Sequence, residues 1–128
     1  MTNEGLRKIE VALGVQLPEE YRVAVTPADP GHLEYFSVGA LYNQPETIIE
    51  ETRRLAGITK SFDDPWDEKW VAISEVNGGD GVLLDTGRSN ALLLLWDHET
   101  SLVEPFRTTV TEMAKVVLNF NHRVKRQG

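Results

Sequence analysis

The chain has 128 residues and no cysteine, which fits one domain of ordinary size and excludes disulfides and cysteine-based zinc sites. Its net charge is −7, and the acidic excess is concentrated in residues 61–104, where ten aspartate and glutamate residues stand against Lys69 and Arg88. An acidic field of this kind repels phosphate backbones, so nucleic acid is not expected as a partner, and it raises encounter rates with basic partners. From charge alone, a solvated surface that keeps the protein soluble is the favoured interpretation.

No targeting or membrane segment is expected. The N-terminus has no basic region followed by an apolar run, and the apolar stretch at residues 91–96 is far shorter than the ~20 residues that span a bilayer. We therefore expect a cytoplasmic protein without a membrane partner. One domain should cover residues 1–128, with residues 122–128 forming a frayed basic tail.

Two helices are predicted near the N-terminus. The first begins at Thr2 or Asn3, has apolar residues three or four apart and stops at Gly14, which can adopt the left-handed conformation that ends many helices. The second has Pro18 in its first turn and is brief, because residues 26–31 are rich in proline and glycine. The residues expected to face the core are Leu6, Ile9, Leu13, Tyr21 and Val25.

A strand around residues 35–41 and a third helix follow. The helix should begin at Pro45 and stop at Gly57. Its apolar stripe consists of Ile48, Ile49, Thr52 and Leu55. Residues 61–66 are a turn-rich connector.

The hydrophobic period then changes to two, which is typical of strands. Strands are predicted at residues 70–73, 82–85 and 91–97, with a short last strand beginning at residue 102. Turns separate them at residues 77–81, 86–90 and 98–100, and Thr108 or Thr109 should cap a closing helix. This order predicts an α+β fold: a central antiparallel or mixed sheet with N-terminal and C-terminal helices packed against one face.

The sequence offers little for catalysis. The glycines of residues 77–81 lack the lysine of a phosphate loop and precede a strand, so they indicate a hairpin turn. No serine lies in a nucleophile elbow. A small hydrolase with two converging carboxylates is a third interpretation. In a chain with twenty acidic residues, the presence of carboxylates gives little evidence for it. We therefore predict a non-enzymatic protein without a cofactor.

Asp97-His98-Glu99 is the candidate metal-binding segment. Successive strand residues point to opposite faces, so Asp97 and His98 should not converge, and His32 and His122 lack ligand spacing. We predict no metal site; the favoured interpretation is a histidine at a strand end, bonded to a turn partner.

Binding of a protein partner is favoured over catalysis and metal binding. Trp66 lies among acidic residues and is either a binding anchor or a loop residue tucked onto the sheet edge, the second being slightly favoured. We expect three other residues to pack in the sheet core rather than to contact a partner: Trp70, Leu84 and Trp96. The candidate partner-binding residues are Asp63, Asp64, Trp66, Asp67, Glu68, Asp80, Asp85 and Glu99.

The chain resembles the SUKH superfamily, the Smi/Knr-type domain. The resemblance rests on the ordered segments 13–21, 45–55, 70–85 and 95–98, of which Leu-Pro-Glu-Glu-Tyr at 17–21 and Trp-Asp-His at 96–98 are the most specific. Residues 26–31 depart from the family pattern, which predicts a shortened second helix.

The resemblance implies a non-enzymatic domain similar to bacterial immunity proteins, which bind and neutralise cognate polymorphic toxins. A basic nuclease would suit the acidic segment. The alternative is an intracellular regulatory or scaffolding module with no toxin partner, and the oligomeric state, monomer or dimer, stays open.

Overall fold

The computed structural model describes residues 1–26, 41–88, 92–110 and Met113. Within these residues the helices are α1 Asn3–Leu13, α2 Glu19–Val25 and α3 Pro45–Ser61. The strands are β1 Trp70–Val76, β2 Asp80–Asp85, β3 Leu92–Trp96 and β4 Val103–Thr109. The predicted α+β class is confirmed. Of the strand expected around residues 35–41, only Leu41 is described, and it forms an isolated bridge with Ser74.

Helix α1 has the predicted caps. The Thr2 hydroxyl oxygen accepts a hydrogen bond from the Gly5 amide at 3.1 Å, which satisfies one of the free donors of the first turn. At the other end Gly14 has φ 66°, and its amide donates to the Glu10 carbonyl at 2.9 Å. Both boundaries are local, so the sequence alone was sufficient to predict them.

Helix α2 is short, as predicted, and ends at Val25. Pro18 is the N-cap and lies one residue before the first turn in which it was expected. The Glu10 carboxylate joins α1 to α2, because its Oε2 atom accepts from Arg22 at 2.6 Å and from the Leu17 amide at 2.9 Å.

Helix α3 begins at Pro45 as predicted but does not stop at Gly57. It continues to Ser61 because Gly57 lies on the exposed side of the helix, where glycine costs only ~1 kcal/mol. Thr59, in the next turn, is fully buried and accepts a hydrogen bond from the Trp96 indole nitrogen at 2.8 Å. Packing beyond the glycine therefore outweighs the local stop signal.

The four described strands form an antiparallel sheet in the order β1-β2-β3-β4. The β1–β2 hairpin turns through Asn77, Gly78 and Gly79, all with positive φ, as the glycine cluster predicted. Strand β4 is longer than expected and includes Thr108, so that residue does not cap a helix. The described residues of the expected closing helix, Val110 and Met113, are helical and buried.

Buried residues form two clusters on opposite faces of the sheet. Val71, Leu84 and Leu93 are paired across β1, β2 and β3 and pack with α1 and α2 in the larger cluster. The smaller cluster consists of Leu55, Ala72, Leu83 and Trp96. Neighbouring residues alternate between the two clusters, as a pleated sheet requires.

Helix α3 contributes to both clusters, Ile48 and Ile49 to the larger and Leu55 to the smaller. At the β1 irregularity between Ala72 and Ser74, the Thr52 hydroxyl oxygen accepts from the Ala72 amide at 2.9 Å. The expectation that the helices pack on one face is therefore wrong for α3, which packs at the β1 side of the sheet and contacts both faces.

In the part of the chain that the structure describes, no helix combines the length and the apolar character that a membrane span needs.

Candidate partner-binding groove

A groove of about 390 Å³ lies on the sheet face that carries the smaller cluster. Its apolar lining residues, which form the floor, are Trp70, Leu93, Leu94, Val103 and Pro105. Its charged lining residues are Asp67, Asp85, Arg88 and Glu104. Glu104 is paired with Leu95, which packs on the larger cluster, so its side chain belongs to the opposite face of the sheet and the rim consists of Asp67, Asp85 and Arg88.

Strand register explains why these residues meet. Trp70 pairs with Asp85 across β1 and β2, and Leu94 pairs with Pro105 across β3 and β4. Side chains of paired residues lie on the same face of a sheet, so the register places an aromatic ring beside a carboxylate and a leucine beside a proline. Pro105 also removes one backbone donor from β4, an outer strand of the described sheet.

Trp66 supports one wall of the groove rather than standing free. Its ring contacts that of Trp70 edge to face, with centroids 5.3 Å apart and planes at 82°. Such aromatic pairs are favourable beyond the area they bury. Trp66 is half-buried and packs against the smaller cluster, which supports the interpretation of a loop residue tucked onto the sheet.

Asp85 is held in place by the turn that follows β2. Its Oδ1 atom accepts from the Gly87 amide at 3.0 Å, and its Oδ2 atom lies 3.4 Å from Arg88 Nε. Asp67 has a similar local bond, since its Oδ1 atom accepts from the Lys69 amide at 2.8 Å. Two predicted residues thus meet at the groove with orientations fixed by their own loops.

Three other predicted residues lie at the end of the sheet that carries the β3–β4 turn. The Asp64 carboxylate accepts a hydrogen bond from the Ser101 hydroxyl at 2.9 Å, which joins the loop after α3 to that turn. Asp63 and Glu99 are exposed there. The last residue of the acidic loop, Glu68, pairs with Lys60 at 2.9 Å, and both side chains are exposed.

Asp80 is largely buried and is engaged inside the protein. Its Oδ1 atom accepts from the His98 amide at 3.0 Å and lies 2.5 Å from His98 Nδ1. Hydrogen bonds from the His98 backbone and ring hold the pKa of Asp80 below its usual value, and the bond to Asp80 raises the pKa of His98. The predicted histidine at a strand end with a bonded partner is confirmed.

Among the described residues, Asp80, Asp97 and His98 are a group that could offer three metal ligands. Their ligand atoms lie within 4.8 Å of one another, so the expectation that Asp97 and His98 do not converge is wrong. Both residues follow the end of β3, where strand alternation no longer applies. The contacts above already engage Asp80 and His98, and Asp97 Oδ1 accepts from the Glu99 and Thr100 amides. We therefore assign no ion to this group, and the absence of a metal site stays a prediction.

The β4 side of the groove is absent from the residues that the sequence predicts as partner-binding. The sequence predicts only that Leu102 and Val103 begin a short strand and that Leu94 belongs to an apolar run. A proline within a strand pattern is a signal that could have marked β4 as an outer strand. The pairing of Leu94 with Pro105 depends on strand register across a turn, which residue types do not give.

Comparison with known proteins gives a family match. The model of the SMI1 / KNR4 family (SUKH-1) matches residues 1–114. No curated protein and no solved structure matches the chain significantly. The family match covers most of the chain, including α1–α3, the whole described sheet and every lining residue of the groove. The chain belongs to the SMI1/KNR4 family (SUKH-1).

Proposed function

We propose that this protein is a cytoplasmic immunity protein that binds a cognate basic toxin through the groove and so neutralises it. The observation that carries the proposal is the combination of an apolar floor, including Trp70 and Leu94, with the carboxylates of Asp67 and Asp85 at its rim. The family membership is consistent with an immunity-type module.

The chemistry of the groove suits protein binding. Aromatic and aliphatic side chains in a concave surface provide the apolar contact that dominates interface energy. The rim carboxylates attract a basic surface over a longer range and raise the association rate. The acidic excess of residues 61–104 extends this field beyond the groove.

The test is co-expression with toxin domains encoded beside the gene, followed by pull-down and growth rescue. We expect one of these domains to bind and its toxicity to be suppressed. Association should weaken several-fold when the ionic strength rises from about 0.05 M to about 0.5 M, because a shorter Debye length screens the rim charges. Failure of every neighbouring toxin domain to bind would favour a regulatory or scaffolding role.

Charge reversal locates the interface. The Asp67→Lys variant should weaken toxin binding by about tenfold, a loss within the range for charge pairs at protein interfaces. The matched control is Glu50→Lys, which reverses an exposed acid on α3 outside the groove and should have little effect. Equal losses in both variants would mean that net charge matters and the groove does not.

A further inference from the structure

We propose that the groove accepts an arginine side chain of the partner, and that Arg88 of the chain itself holds this place in the free protein. This inference rests on the proposed binding of a basic protein at the groove. It adds the identity of the side chain that is recognised and names a residue that competes with the partner.

In the free protein the Arg88 side chain lies beside Asp85. It lines the groove, and its Nε atom lies 3.4 Å from Asp85 Oδ2. The other carboxylate oxygen of Asp85 is held by the Gly87 amide, so the carboxylate has a fixed orientation. Only 14% of the Asp85 side chain is exposed, so few positions are open to an incoming cation. The free protein therefore already shows a guanidinium group at the carboxylate.

The Asp85 carboxylate lies beside an aromatic ring. Trp70 is the cross-strand partner of Asp85, and both line the groove. A guanidinium is planar, stacks on an indole ring and donates to a carboxylate at its edge. A lysine ammonium lacks the plane and is more strongly hydrated. An indole beside a fixed carboxylate therefore favours arginine over lysine.

Arg88 can move out of the groove at little cost in free energy. Its side chain is 67% exposed, and the pair with Asp85 joins residues three apart in a turn. Because the Arg88 side of the pair is open to solvent, water screens the pair, and its contribution to stability is small. When Arg88 moves away, the carboxylates of Asp67 and Asp85 remain, and the described lining residues include no other base. The vacated groove is thus complementary to a cationic side chain.

The experiment uses short peptides as probes and the full chain as the receptor. Tetra-arginine, tetra-lysine, tetra-glutamate and tetra-leucine peptides with blocked ends are titrated into the protein, and the three indole N–H signals are followed by NMR. The signal of Trp70 should shift with tetra-arginine. The signal of Trp96 should not move, because that indole is buried and bonded to Thr59.

Two variants test the role of Arg88. In Arg88→Ala, tetra-arginine should bind about two- to fivefold more tightly, as expected when a weak ion pair screened by solvent no longer has to be broken. Lys69→Ala is the matched control. It removes one nearby positive charge from an exposed side chain that does not line the groove, and it should change the affinity less.

The outcomes separate the claims. Tighter binding of tetra-arginine than of tetra-lysine, with a gain specific to Arg88→Ala, supports the proposal. Equal binding of the two basic peptides, preference for tetra-glutamate or tetra-leucine, equal gains in both variants, or no shift of Trp70 would each overturn it. If toxin binding is weakened in Asp67→Lys while the peptides show no arginine preference, the proposed function stands and only the arginine assignment fails.

Discussion

The hydrogen bond between His98 Nδ1 and the Asp80 carboxylate ties the turn after β3 to the start of β2. The bond raises the pKa of His98 above 6.5 and helps to lower the pKa of Asp80 below 3.8. A raised histidine pKa stabilises the fold fully below the unfolded value, and this contribution is lost as the pH rises through the folded value. A lowered aspartate pKa acts in the opposite direction, so its contribution is lost at acidic pH.

We therefore predict that the pair stabilises the protein most between about pH 4 and pH 6.5. The urea midpoint of the wild type should be higher near pH 5.5 than near pH 8. The His98→Asn variant keeps a donor toward Asp80 but cannot titrate, and it should show a smaller difference between these two conditions. The same difference in variant and wild type would assign the pH dependence to other groups.

At the scale of elements, two glycines have opposite roles. Gly14 ends α1 with φ 66°, whereas Gly57 lies inside α3 with no atom near the position of an added Cβ. Gly14→Ala should lower the free energy of unfolding by about 1 kcal/mol, because an L residue is strained in this conformation. Gly57→Ala should raise it by up to about 1 kcal/mol, because alanine has the higher helix propensity. Chemical denaturation followed by circular dichroism measures both, and a loss of stability in Gly57→Ala would contradict the assignment of residues 58–61 to the helix.

Prediction of the elements from sequence was accurate where the signals are local. The caps of α1 and the β1–β2 turn depend on Thr2, Gly14 and the glycines after Asn77, and these residue types have strong conformational preferences. The end of α3 was predicted wrongly because the contact of Thr59 with Trp96 joins residues 37 apart in the chain. A contact between residues so far apart cannot be predicted from the local sequence pattern.

The candidate site was predictable only in part for the same reason. Charge and loop position were enough to propose Asp67 and Asp85, and both line the groove. The same criteria also selected Asp80, which is turned inward to His98, and Glu68, which pairs with Lys60. Which acid faces a partner depends on tertiary contacts that charge counts do not contain.

At the scale of the whole molecule, α3 connects the two clusters, so the fold should unfold as one unit. Leu83 and Leu84 are adjacent, fully buried and assigned to opposite clusters. Leu83→Ala and Leu84→Ala should each lower the free energy of unfolding by about 2–5 kcal/mol, since each leaves a cavity. Circular dichroism and tryptophan fluorescence should report coincident urea transitions in both variants. Separate transitions in Leu83→Ala would show that the smaller cluster unfolds independently.

Pro105 has a consequence for how recognition can evolve. Because this residue gives β4 no amide hydrogen beside the groove, a partner strand cannot pair continuously along β4. Binding there then depends on side chains rather than on a backbone ladder. A side chain at the rim such as Asp67 is exposed and can be exchanged without disturbing the sheet. When the partner's surface changes during evolution, single substitutions at the rim can therefore restore binding while the fold is retained.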